Sequence, residues 1–149
     1  LPYLDIIGNG PEFSTLSRLT RELGLSNKIL FHGEVTQSTR LHSFLNNARV
    51  VISPGQAGLS VLQAFSYATG FITCENAKTG GELYNIVDGI TGAYFNGTTR
   101  GLSNVLKLYV SESYAREIGE NSFRYYYLLR HQDNWVNNVL RAIRHDNFN

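Results

Sequence analysis

An open, doubly wound α/β domain built on a parallel sheet, closed by a helical C-terminal section, is the fold class this sequence predicts. Three observations predict it. Short apolar runs of strand length alternate with longer stretches whose apolar residues recur at helical spacing. Those short runs are continuously apolar, as strands covered on both faces are, instead of alternating apolar and polar. Glycine punctuates the junctions from strand to helix.

The elements follow in order. "YLDIIG" (3–8) reads as a buried-type strand ending in glycine. In "PEFSTLSRLTRELGL" (11–25), Phe13, Leu16, Leu19 and Leu23 fall at helical spacing, with Pro11 in the first turn and Gly24 at the stop. "KILFHG" (28–33) is a second strand, "TRLHSFLNNA" (39–48) a second helix and "RVVISP" (49–54) a third strand, before a helix over about 59–68. "GFITC" (70–74) is a fourth strand. Thr79-Gly80-Gly81 leads into a short helix, "ELYNIV" (82–87), and "GAYF" (92–95) is a fifth strand. Helices are expected at 99–112, 114–128 and 132–145. Strand–helix alternation argues one parallel sheet, and right-handed crossovers place every strand-to-helix turn at one edge. The whole of 1–149 is expected to form a single Rossmann-like domain.

Composition narrows the function. A formal net charge of +1, with no basic run longer than two residues, argues against a nucleic-acid footprint. The one cysteine, Cys74, forms no internal disulfide, suits a reducing compartment, and reads as a small buried residue at a strand end. No apolar run reaches membrane-spanning length. Asn96-Gly97-Thr98 matches a glycosylation acceptor but reads as a turn. The absence of methionine, and a first residue that runs straight into a strand, suggest a piece of a longer chain whose partner domain is missing.

Four turns gather at the predicted carboxyl edge: Gly8-Asn9-Gly10-Pro11, His32-Gly33-Glu34-Val35, Ser53 to Ser60, and Thr73 to Glu82. Ligands of doubly wound sheets bind at this edge. Gly8-x-Gly10 invites a nicotinamide or flavin reading, but Phe13 replaces the third glycine of that fingerprint. Phe31 and His32 stand where a ribose-binding acid is needed. In "SPGQAGLSVLQAF" (53–65) a strand, a Pro-Gly turn and a helix opening at Gly58-Leu59-Ser60 aim backbone N–H groups at an anion.

The four blocks "LDIIGNGPE", "ILFHGEV", "ARVVISPGQAGLSVLQAFSYATGFIT" and "GGELYNIVDGITGAYF", in this order and spacing, resemble the C-terminal, nucleotide-sugar-binding domain of GT-B glycosyltransferases of family 4, also called group 1. The resemblance covers residues 4 to 95, and the helical tail fits it. It implies a Rossmann-like C-terminal half of a GT-B enzyme. Such an enzyme transfers a sugar from a nucleotide diphosphate sugar, with retention and without a metal or other cofactor, to a glycan or lipid-linked acceptor in bacterial polysaccharide assembly. By resemblance, the donor diphosphate falls to Gly58, Leu59 and Ser60, with Gly8 and Gly10. The base and ribose fall to Glu34, Val35, Arg40 and Gln63. The donor sugar falls to Gly55, Gln56 or Glu82. The missing N-terminal domain is the expected partner, and this piece alone is expected to be inactive. The expected location is the cytoplasm, with the inner face of the membrane as a peripheral alternative.

The match has gaps. The family carries two glutamates separated by seven residues, and here those positions hold Gly55 and Gln63. The family's Gly and Pro before the fourth strand are Ala68 and Gly70, and Phe71 takes a small aliphatic position. A non-catalytic, degenerate transferase acting as a partner or regulator is the alternative reading, and a nicotinamide-dependent Rossmann enzyme a more distant one. Other residues read two ways. Arg40 is a nucleotide contact or a solvated helix arginine. Glu82 is a helix cap or a sugar contact, and Glu75 flanks the same turn. His32 is the histidine to watch among 32, 42, 131 and 145, none of which has metal spacing. "FRYYYLLRH" (123–131) packs the terminal helices or touches a membrane surface through Arg124, Arg130 and His131.

Overall fold

The computed structural model describes residues 3–143. His145, and the end of the helix expected over 132–145, lie outside the described residues. Its contacts divide the chain into two compact units that meet in sequence between Phe44 and Leu45.

In the first unit, β1 (Leu4–Ile7) and β2 (Ile29–Gly33) form a parallel pair. The register is Leu4 opposite Ile29 and shifts by one residue after Ile6, so that Ile7 meets Gly33. Between them runs α1 (Phe13–Glu22), and after β2 comes α2 (Ser38–Asn47). Gly24 stops α1 with φ 67°, the left-handed conformation that favours glycine. The expectation of a buried first strand is not met: Leu4 is 41 % exposed and Ile7 39 %. Two strands present too narrow a face to cover a ten-residue helix or to be covered by it. Leu16 and Leu19 accordingly remain about half exposed.

The second unit holds the core. Its sheet has the order β3 (Val50–Ser53), β5 (Gly70–Cys74), β7 (Gly92–Phe95), with both pairings parallel. All five residues of the central strand β5 are buried, as its uninterrupted apolar sequence predicts. One side of the sheet packs Ile72, Ala93, Phe95, Tyr109, Ala115 and Ile118 together, bringing in α4 (Thr99–Leu108) and α5 (Glu112–Tyr125). The other packs Phe71, Val61, Ala64, Phe65 and Ile86, bringing in α3 (Ser60–Ser66). The hydroxyls of Thr98 and Ser111 cap α4 and α5 by accepting from the amides of Gly101 and Tyr114.

The strands, α1 to α3 and the last helix, α6 (Gln132–Ile143), match the expected elements to within a few residues in the described region. Four features differ. The helix expected over 99–112 ends at Leu108, and α5 begins within its expected span at Glu112. The helix expected at 82–87 is one turn of 3-10 helix, Glu82–Asn85. The helix expected to run to 128 ends at Tyr125 and passes into a single π-helical turn, Tyr126–Arg130. A two-residue parallel pairing, β4 (Gln56–Ala57) with β6 (Lys78–Thr79), had no sequence signal. Runs of two residues lie below the length at which periodicity is visible. Instead of the one sheet expected, the described strands form three, β1–β2, β3–β5–β7 and β4–β6; parallel throughout and flanked by helices, they are Rossmann-like, as the sequence predicts.

Candidate functional site

In the first unit the carboxyl ends of β1 and β2 are locked together. The Gly8 amide donates to the Gly33 carbonyl at 2.8 Å, and both glycines have positive φ, 136° and 64°. A side chain at either position would be strained. Gly10 has nothing within 4 Å of where a Cβ would stand, so its backbone is open to close approach. Glu34 and Val35 follow directly on Gly33, so Gly8, Gly10, Glu34 and Val35 share one edge of this sheet. The missing third glycine is explained by packing, because the Phe13 ring meets Phe31 edge-on at 5.4 Å. His32 is tied by its Nε2 to Asp5 Oδ1 at 2.6 Å, and its ring lies 4.5 Å from that of Phe44. The Arg40 guanidinium sits 5.9 Å above the same Phe44 ring.

In the second unit the edge is more elaborate. β3 ends at Ser53, whose carbonyl accepts the Thr73 hydroxyl at 2.8 Å and so ties the ends of β3 and β5. The chain turns at Pro54-Gly55 and enters β4. Lys78 donates its amide to the Gly55 carbonyl at 3.1 Å, extending the β4–β6 pairing to the turn itself. Gly55, Gln56 and the Lys78–Glu82 loop are thereby brought together. Ala57 is fully buried and Gln56 exposed, so β4 anchors with one side chain and presents the next.

After Gly58 the chain enters α3. Its N-cap residue, Leu59, is 77 % exposed and supplies no side-chain cap, and the first turn holds no acid. Gly55 and Gly58 each have open space where a Cβ would stand. Val61 and Gln63 already donate to the carbonyls of Gly58 and Leu59. The end of the helix is anchored from below by Val61, Ala64 and Phe65, all fully buried. Gln63, one turn further on, lies on the wall of an open groove of about 420 Å³ shared with Ser66, Tyr126, Arg130 and Trp135. No local sequence signal sets Arg130 or Trp135 beside Gln63. They are some seventy residues away and arrive only because the π-turn redirects the chain past α3.

The glycine-rich loop is held by its own side chains. Glu82 Oε2 accepts the Gly80 amide at 3.0 Å and the Thr79 hydroxyl at 3.4 Å. Thr79 Oγ1 accepts the amides of Gly81 and Leu83 at 3.0 and 3.1 Å. The Glu82 carboxylate thus faces the loop backbone ahead of the 3-10 turn, while Thr79 holds the amides of the turn itself. Cys74 is buried at its strand end, its thiol 2.8 Å from Asn76 Oδ1. Asp88-Gly89 forms the expected turn into β7, with Asp88 Oδ1 accepting the Tyr94 amide at 3.0 Å. Among the described residues no three His, Cys, Asp or Glu side chains gather as metal ligands. No helix there is long and apolar enough to cross a membrane.

Comparisons give this geometry a context. The family model described as "Glycosyl transferases group 1" matches residues 2–124. Among solved structures, sucrose-phosphate synthase from Thermosynechococcus elongatus superposes with a TM-score of 0.76 at 18% identity. The match covers 95% of this chain and 38% of that one. Alr3699/HepE from Anabaena, solved in complex with UDP, gives 0.67 at 17%, covering 83% and 35%. The C-terminal domain of LpcC, a glycosyl transferase group 1 family protein from Francisella tularensis, gives 0.66 at 17%, covering 81% and 65%. The chain therefore spans between a third and two fifths of the first two of these structures. No curated protein matches it.

Proposed function

This chain belongs to the glycosyl transferases group 1 family, and from that premise we propose that it is the nucleotide-sugar-binding half of such an enzyme. On this reading residues 1–149 act as one donor-binding domain. The reaction transfers a sugar, with retention, from a nucleotide diphosphate sugar to a glycan or lipid-linked acceptor supplied from outside this chain. The setting is bacterial polysaccharide assembly on the cytoplasmic side.

The observation that carries the reading is the N-terminal turn of α3. It is open at Gly55 and Gly58, uncapped by any side chain, free of acid in its first turn, and fixed from below by buried residues. Helix dipole and backbone N–H groups at Gly58, Leu59 and Ser60 favour a diphosphate. They would oppose the negative charge that grows on the departing nucleotide as the glycosidic bond breaks, the task a bound cation performs elsewhere. Gly8 and Gly10 offer a second open backbone segment. Glu34, Val35 and Arg40 are assigned to the nucleoside, and Gln63 to the ribose as a neutral donor and acceptor. Gln56 and Glu82 are assigned to the donor sugar. A nicotinamide site is disfavoured because Phe13 and His32 are both committed to local packing. The absence of carboxylates at Gly55 and Gln63 favours one second reading, a family member that binds a partner and does no chemistry.

The test is calorimetric titration of this chain with uridine, guanosine and adenosine diphosphates, starting from uridine because HepE was solved with UDP. One diphosphate is expected to bind. Gly58→Asp places a negative charge at the helix N-terminus, where it helps the helix but repels phosphate. It should weaken binding by roughly ten-fold or more without lowering the melting temperature of the free chain. Gln63→Glu should tighten binding a few-fold by restoring a charged acceptor. Binding by none of the three diphosphates, or equal binding by Gly58→Asp, refutes the assignment.

A further inference from the structure

In the sequence Arg130 is one of three basic residues in an aromatic run; in the structure it closes a polar cluster that ties the C-terminal section to the loop assigned above to the donor sugar. Its Nε donates to Asn85 Oδ1 at 2.7 Å, and its Nη2 lies 3.1 Å from the Tyr125 hydroxyl. The guanidinium also lies 5.6 Å above the Tyr125 ring. The Tyr125 hydroxyl donates in turn to the same Asn85 Oδ1 at 3.3 Å. Asn85 is 7 % exposed and uses its remaining groups locally. Its Nδ2 donates to the Glu82 carbonyl at 3.0 Å, and its own carbonyl accepts the Thr91 hydroxyl at 3.2 Å. A buried amide with both ends engaged fixes the segments it joins, because turning it would strand several polar groups at once.

The backbone that delivers Arg130 is unusual. The π-turn is closed by the His131 amide donating to the Tyr126 carbonyl at 2.8 Å, a spacing of five residues. A continuing α-helix would rotate residue 130 away from the direction this turn gives it. Single π-turns are frequent at functional positions. From Asn85 the connection runs through the 3-10 turn to Glu82 and Thr79, which hold the amides of Gly80, Gly81 and Leu83. It then runs through the β4–β6 pairing to Gln56.

We propose that Arg130 is a positioning residue: through Asn85 it sets the conformation of the Gly80–Asn85 loop, and so the geometry offered to the donor sugar. The sugar part of this statement rests on the donor reading above, and the loop part does not.

Two measurements on the full chain keep these parts distinct. The first is amide hydrogen exchange by NMR, comparing wild type, Arg130→Ala and Arg130→Lys. Arg130→Ala should speed exchange at Tyr84, Ile86 and Val87 by roughly ten-fold, the scale of one charge-assisted hydrogen bond, with the β5 amides unchanged. Arg130→Lys, which keeps a cationic donor for Asn85 Oδ1, should recover part of that protection. Unchanged exchange at 84–87, or a uniform rise that includes β5, overturns the proposal. The second is the ratio of affinities for UDP-glucose and UDP-N-acetylglucosamine against UDP. Arg130→Ala should lower the preferred sugar nucleotide several-fold relative to UDP, and an equal loss of both overturns the sugar part. If wild type binds none of the uridine, guanosine and adenosine diphosphates while the loop responds as stated, the donor reading fails and the positioning of the loop stands.

Discussion

Gly119 lies in the middle of α5, where helix propensity alone recommends alanine by about 1 kcal/mol. The structure predicts the opposite sign. An ideal Cβ at Gly119 would stand 2.0 Å from the Ala68 carbonyl oxygen and 2.9 Å from its carbonyl carbon. Both are backbone atoms with little room to retreat. The Thr69 amide is bonded to the Ala64 carbonyl, and its hydroxyl to the Leu45 carbonyl at 3.1 Å. On the other side, α5 is fixed by Ile118, 1 % exposed, and by Ser122, fully buried. Relief therefore requires the helix to move off the β5 side of the core, an overpacking cost of about 2–4 kcal/mol. After the gain in propensity, Gly119→Ala should be destabilised by about 1–3 kcal/mol, lowering Tm by about 3–10 °C for a chain of this length. Urea titration with far-UV circular dichroism gives the free energy, and calorimetry gives Tm. A variant as stable as wild type, or more so, would refute the seating of α5 on the Ala68 turn.

Two further outcomes are expected. The Tyr109 hydroxyl is buried without a hydrogen-bond partner, so Tyr109→Phe should be neutral or stabilising by up to about 1 kcal/mol in urea. Burial first, then Tyr114 and Asp88, raises the Tyr109 phenol above its ordinary value near 10, and burial also raises Tyr94 and Tyr114. The unfolded chain ionises first, so stability is fully present below about pH 10 and falls above it; Tyr109→Phe should lessen that alkaline slope. Ser122, fully buried, bridges α5 to the Thr91 carbonyl at 2.8 Å; Ser122→Ala leaves that carbonyl only the longer bond from the Phe71 amide at 3.4 Å and should cost about 1 kcal/mol at neutral pH by the same titration.

The strands, the main helices and the four glycine turns were legible because each repeats a local signal several times over, as "GFITC" and "VLQAF" do. The candidate site was legible only where it is made of backbone. Gly55, Gly58 and the opening of α3 announce themselves by residue type, whereas Arg130, Trp135 and Asn85 do not. Those three acquire meaning from a π-turn that no periodicity encodes and from contacts across 45 residues, the separation of Asn85 and Arg130. Ala68 shows the same limit in reverse. The sequence marks it as a departure from a family glycine, and the structure holds it at φ 53°, a left-handed conformation costly for any residue with a Cβ.

The pairing of Gln56–Ala57 with Lys78–Thr79 is two residues long, and its consequence lies in modularity more than in stability. Side chains in such a ladder alternate faces, so a one-residue slip of this register would exchange the outward and inward positions of the second loop against the first. Either loop grafted without its mate loses the partner strand that sets its register, so the two are best engineered as one unit.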